Sequence, residues 1–111
     1  MWRRSPFTTA IRRDALIDKL AAIFGDRVGP GGDDPADVDI LVNATPRGMS
    51  ADDPMPVAVS RLAAATFVGD VITVPEVTPL LQAARMRGCL TQTGVGMFLN
   101  VLGRMAEFFQ P

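Results

Sequence analysis

Histidine and tyrosine are absent from this 111-residue chain, and lysine occurs once, at Lys19. With them go most of the usual general acids and bases, so any catalysis by this chain alone would rest on carboxylates or on Cys89. Cys89 is the single cysteine, which excludes an internal disulfide and fits a reducing, cytoplasmic setting. No metal site is expected. Charge of either sign is not in excess: 12 acidic against 11 basic residues leave a net charge of -1, with no broad basic surface to attract nucleic acid or anionic lipid. No run of apolar residues is long enough to span a membrane. The start, Met1-Trp2-Arg3-Arg4, has the charge of a signal-peptide n-region, but Pro6, Thr8, Thr9, Arg12 and Arg13 interrupt any apolar h-region, so no targeting signal is read.

What is present is material for one core. With 48% hydrophobic residues, the length suits one domain or a piece of one. Phe7 to Arg12 reads as a short strand. Asp14 then reads as an N-cap for a helix over about 14–25, with Leu16, Ile17, Leu20, Ile23 and Phe24 at helical spacing and Gly25 at its end. Gly29 to Pro35 is dense in turn formers and reads as a loop. Val38 to Asn43 holds the unbroken block Ile40-Leu41-Val42, the form of a strand buried on both faces of a parallel sheet.

Beyond Gly48, Val57 to Ala65 is a candidate short helix and Phe67 to Thr73 a strand. Thr78 and Pro79 provide an N-cap and first helical position for Leu80, Leu81, Ala84 and Met86. Cys89 to Thr91 is a short strand at best. A last helix over about 97–109 aligns Phe98, Val101, Leu102, Met105 and Phe109 on one stripe. This alternation predicts an α/β fold with a mostly parallel sheet covered by helices.

Three segments carry a family resemblance. Asp39-Ile40-Leu41-Val42-Asn43-Ala44-Thr45-Pro46-Arg47-Gly48-Met49 resembles the strand and turn that close the fourth strand of the cofactor domain in shikimate dehydrogenases. Asp70, Pro75 and Thr78-Pro79-Leu80-Leu81 with Ala84 resemble that family's next strand and helix. Gly94-Val95-Gly96-Met97 resembles its glycine-rich turn before the C-terminal helix. Order and spacing agree across about 37–109. More loosely, Ile11-Arg12-Arg13 resembles the family's Asn-Arg-Thr segment, which places Arg12 where a guanidinium holds the 2′-phosphate of NADP.

The resemblance implies hydride transfer between NADPH and 3-dehydroshikimate, in aromatic amino-acid biosynthesis. It implies a single partial cofactor-binding domain over 1–111, Rossmann-like but without the first strand and its glycine-rich loop, and without the substrate domain that carries the family's lysine and aspartate. No catalytic residue is expected in this chain, and Lys19 does not match the family's lysine. A truncated form, inactive on its own, is the expectation. The strand at Phe7 to Arg12 is expected either to fill the vacant place beside Val38 to Asn43 or to stay poorly ordered.

Carried over residue by residue, Arg12, Asn43, Ala44, Thr45, Met49, Val71, Gly94 and Met97 would line the cofactor. Asn43 and Thr45 read equally well as a polar strand cap, Met49, Val71 and Met97 as core, and Gly94 as a turn. Thr73 and Val101 depart from the family's tyrosine and substrate-binding glutamine, which puts recognition of a shikimate-like molecule in doubt. The alternative reading is a non-catalytic nucleotide-binding or subunit-interaction module, a homo-oligomer through the last helix included. A small enzyme using Cys89 as nucleophile has no histidine to activate it; a buried apolar role is the default for that residue.

Overall fold

The computed structural model describes residues 6–110, with side-chain surroundings from Ile11 onward. The chain divides after Gly32 into two compact units, and the region that carries the resemblance lies in the second.

The first unit holds helix α1, Pro6–Phe24, followed by a single 3-10 turn at Gly25–Arg27. Two expectations are corrected here. Phe7 to Arg12 is not a strand, and Asp14 is not an N-cap but a mid-helix residue. Thr8, Thr9 and Ile11 favour extended backbone, but strand preference depends on a partner to pair with. A helix satisfies its own amides, and Pro6 suits a helix start because its missing N–H would have no intrahelical acceptor there. Residues 7–12 therefore neither fill a place in the sheet nor form a strand at all. Gly25 ends α1 as expected, at φ 64°, the left-handed conformation that costs glycine little.

In the second unit, strands β1 (Ile40–Asn43), β2 (Phe67–Asp70) and β3 (Thr91–Gln92) form a parallel sheet in the order β1-β2-β3. Register pairs Ile40 with Phe67, Asn43 with Asp70 and Val68 with Thr91. The α/β class is as expected, and its strands are shorter than read: β2 stops at Asp70, and β3 is shifted to Thr91–Gln92. Val57 to Ala65 supplies only a 3-10 turn at Val59–Arg61. The salt bridge from Arg61 to Asp34 and the bond from Arg87 to the carbonyl of Ser60 hold this segment in place.

Side chains alternate across the sheet, so Leu41, Asn43, Val68 and Asp70 share one face. Helix α2, Pro79–Met86, covers that face, and Leu80, Leu81 and Ala84 join Leu62, Val68 and Cys89 in the buried core. Cys89 is the small buried residue that the sequence led one to expect. The other face carries Ile40 and Val42, both exposed, and Gly69, which lies under Met97 of helix α3, Gly94–Phe108. Ile40-Leu41-Val42 is thus buried on one side only among the described residues.

Helix α3 starts three residues before the expected position. Thr93 is its N-cap, its hydroxyl accepting the Gly96 N–H at 3.0 Å. Gly94 and Gly96, read as a turn, are helical instead. Glycine costs about 1 kcal/mol in a helix relative to alanine, which is why local preference points away from this start. A tertiary requirement outweighs it: a Cβ on Gly94 would overlap the carbonyl oxygens of Val71 and Ile72.

Candidate functional site

Parallel strands present their C-terminal ends on one edge of the sheet, and in open α/β sheets this edge is where ligands bind. Here β1 and β2 end side by side at Asn43 and Asp70. The segments that leave them, 44–49 and 71–74, form the walls of a cleft of about 430 Å³ lined by Ala44, Thr45, Pro46, Met49, Val71, Ile72, Thr73 and Val74. Four of the sequence-derived candidates, Ala44, Thr45, Met49 and Val71, therefore meet in one place. Their exposure is that of an open cleft: Met49 is 62% and Val71 44% exposed, so neither is the core residue of the alternative reading.

A hydrogen-bonded clasp fixes both walls from behind. The Asn43 amide is buried and donates to the Arg47 carbonyl at 3.0 Å and to Asp70 Oδ1 at 3.2 Å. Its oxygen accepts from the Thr45 N–H at 3.1 Å and the Thr45 hydroxyl at 2.6 Å. An asparagine side chain has two N–H donors and one oxygen with two lone pairs, so its capacity is used up. Asp70, fully buried, also accepts from the Ile72 N–H at 3.1 Å and the Thr78 hydroxyl at 2.8 Å. That hydroxyl in turn caps α2 by accepting from the Leu81 N–H. No buried side-chain polar atom among the described residues lacks a partner. The polar groups of Asn43 and Thr45 are thus engaged with one another and with the wall behind the cleft.

At the outer lip, Asp53 accepts from the Gly48 and Ser50 N–H groups, both at 3.0 Å. Those bonds, the Ser50 one first, hold its carboxyl below the ordinary carboxylate range, and the charge of Arg47 adds to the effect. Gly48 adopts φ 113°, which a side chain would strain.

The remaining candidates lie elsewhere. Met97 packs over Gly69 on the sheet face rather than in the cleft lining. Gly94 is buried against the Val71 and Ile72 carbonyls, so the close approach it allows is to the chain's own backbone. Arg12 sits within α1 in the first unit, so the strand end that suggested its phosphate role is not there. Thr73 lines the cleft, whereas Val101 lies with Asn100, Arg104, Met105 and Phe108 along an apolar groove on α3. Sequence reasoning missed Pro46, Ile72 and Val74 as lining residues and Asp70 as the hub of the clasp. The signal for the latter was an aspartate closing an apolar strand, with a threonine eight residues on.

No family model matches the chain. Among curated proteins, it is 41% identical over 96 residues to a shikimate dehydrogenase (NADP+) of Azorhizobium caulinodans and 38% identical over 96 residues to one of Jannaschia. Both alignments take in 82% of this chain. Over this stretch the chain resembles shikimate dehydrogenases. The chain spans 34% of the length of those two relatives. Solved structures of the family agree with it in three dimensions. A shikimate dehydrogenase in complex with NADP+ superposes with a TM-score of 0.68 at 34% identity, over 77% of this chain and 32% of that one. Quinate dehydrogenase from Corynebacterium glutamicum in complex with NAD gives 0.65 at 39% identity, over 78% and 33%. The Rossmann-like reading of the sheet thereby stands.

Proposed function

We propose that this chain forms part of the NADP-binding domain of a shikimate dehydrogenase, and that its cleft holds the nicotinamide end of the cofactor. The observation that carries this reading is the convergence of Ala44, Thr45, Met49 and Val71 on one cleft at the C-terminal ends of β1 and β2. No arginine or lysine lines the cleft, and its walls are largely apolar, which suits an uncharged ring rather than a phosphate. When bound, NADPH supplies the hydride, and the reaction of the family is the reduction of 3-dehydroshikimate to shikimate. The part of this chain is to bind and orient: Met49 and Val71 offer the ring an apolar wall, and the Asn43 clasp fixes that wall's position. No step in this reading assigns a proton to a side chain of this chain, and the carboxyl of Asp70 is turned into the protein. Thr73 in the cleft and Val101 on α3 favour a substrate other than shikimate itself or a weakened affinity for it. A cytoplasmic setting accords with the free thiol of Cys89, and no described helix is long and apolar enough to cross a membrane.

A thermal melt with and without millimolar NADP tests the reading. A ligand that binds only the folded state raises the melting temperature in proportion to RT ln(1 + [L]/Kd), so a cooperative transition that moves upward supports it and an unmoved transition counts against it.

One observation favours a second reading, a subunit-interaction module: from Phe98 onward every residue of α3 is exposed, with Phe98, Leu102, Met105 and Phe108 among them. The occupant of that stripe would be a second copy of the chain, and sedimentation at several concentrations separates the two readings.

A further inference from the structure

Asp70 is fully buried, carries a carboxyl group and takes no direct part in the cleft lining. Its three bonds lead to three different places. Oδ1 accepts from the Asn43 amide, which grips the 44–49 wall, and from the Ile72 N–H, which begins the 71–74 wall; Oδ2 accepts from the Thr78 hydroxyl at the start of α2. We propose that Asp70 is a positioning residue for ligand binding, its Oδ1 locking the two cleft walls to each other while its Oδ2 serves the helix cap. This rests on the reading of the cleft as a dinucleotide site. The division of labour follows from hydrogen-bond polarity. Both groups at Oδ1 are N–H donors, the Asn43 amide using its other hydrogen on the Arg47 carbonyl, so that position must remain an oxygen. The Thr78 hydroxyl can accept as well as donate, so Oδ2 tolerates an N–H in its place.

Three variants of the full chain separate this role from mere stability. Asp70→Asn can keep its oxygen at the Oδ1 position, so its NADP affinity stays near that of the parent while its melting temperature falls. Asp70→Ala frees both walls, and its NADP affinity drops about tenfold or more, since small misplacements of a binding wall are costly. Leu80→Ala, a core change behind the sheet, lowers the melting temperature and leaves the affinity of the folded fraction unchanged. Affinity losses that merely follow stability across the three would overturn the proposal. Where Asp70→Ala does not fold, Asn43→Ala and Thr78→Val replace it: the first is expected to lose affinity and the second to keep it, and equal or reversed effects count against the assignment.

If the parent chain does not respond to NADP, the dinucleotide reading fails, and amide hydrogen exchange still decides the role of Asp70. The Thr45, Arg47 and Ile72 amides, each bonded within the clasp, should exchange about tenfold faster or more in Asp70→Ala than the α2 amides do. Uniform acceleration would leave Asp70 no positioning role.

Discussion

At the scale of single residues, the local rules that failed were overruled by specific contacts. Gly94 reads as a turn residue because glycine is a poor helix former, yet it is helical because only a residue without a Cβ clears the Val71 and Ile72 carbonyls. Gly94→Ala should therefore destabilise the second unit by about 1–3 kcal/mol, the usual cost of overpacking, read as a lower midpoint in urea. A neutral result would mean that the start of α3 can shift away from β2 without loss. Asp34 and Asp53 make a prediction of opposite character, in pH. Asp34 is held below its ordinary value by the Arg61 hydrogen bond first and the Ala36 N–H second; for Asp53 the Ser50 and Gly48 N–H groups do the same. A depressed folded-state value means that the contribution is present above the ordinary value of about 3.9 and is lost as pH falls through the folded one. The carboxyl carbons of both residues should titrate below that of a solvent-exposed aspartate in a carbon-13 NMR titration. Loosening of the 48–53 loop, seen as loss of amide protection at Gly48 and Ser50, should follow the Asp53 midpoint.

At the scale of elements, α2 was the most legible because its signals agree with one another. Thr78 caps, Pro79 occupies the first helical position and Leu80, Leu81 and Ala84 form the buried side, just as the Thr-Pro-Leu-Leu spacing suggests. Removing the cap hydroxyl in Thr78→Ala should cost about 0.5–2 kcal/mol, and Leu81→Ala about 2–5 kcal/mol because it opens a cavity in the core. If the two losses were equal in chemical denaturation, Leu81 would not be the core residue that its full burial implies. Helix α1 is the contrary case. Its β-branched start was read as a strand, but strand formation is decided by a neighbour to pair with, which no window of sequence reports. With the strand went the basis for Arg12 as a phosphate ligand, while the spacing of Leu16, Ile17, Leu20, Ile23 and Phe24 was correctly helical; of these Ile17 and Leu20 are half-buried, and the other three are exposed.

At the scale of the whole molecule, the second unit is a sheet with one covered face. The core lies between the sheet and α2, whereas Ile40, Val42 and Leu90 are exposed, as is the apolar stripe of α3. Apolar patches beyond a few hundred Å² mark interaction surfaces in soluble proteins. The chain should self-associate with rising concentration, and Phe98→Lys with Leu102→Lys should reduce that association without lowering the melting temperature, since neither residue is buried. Light scattering unchanged by the double substitution would direct attention to the open sheet face instead.

The sequence by itself determined the α/β class, the sites of β1, β2 and α2 and four of the residues that meet in the cleft, because each of these rests on local pattern: an apolar run, a cap, a turn. The tertiary structure decided what depends on a partner distant in the chain. The Asn43 to Asp70 bond spans 27 residues and ties the two cleft walls together, and the approach of Gly94 to the carbonyls after β2 set where α3 begins. Hydrogen-bond capacity and steric clearance are properties of neighbours in space, and they acquire values only when the chain has folded.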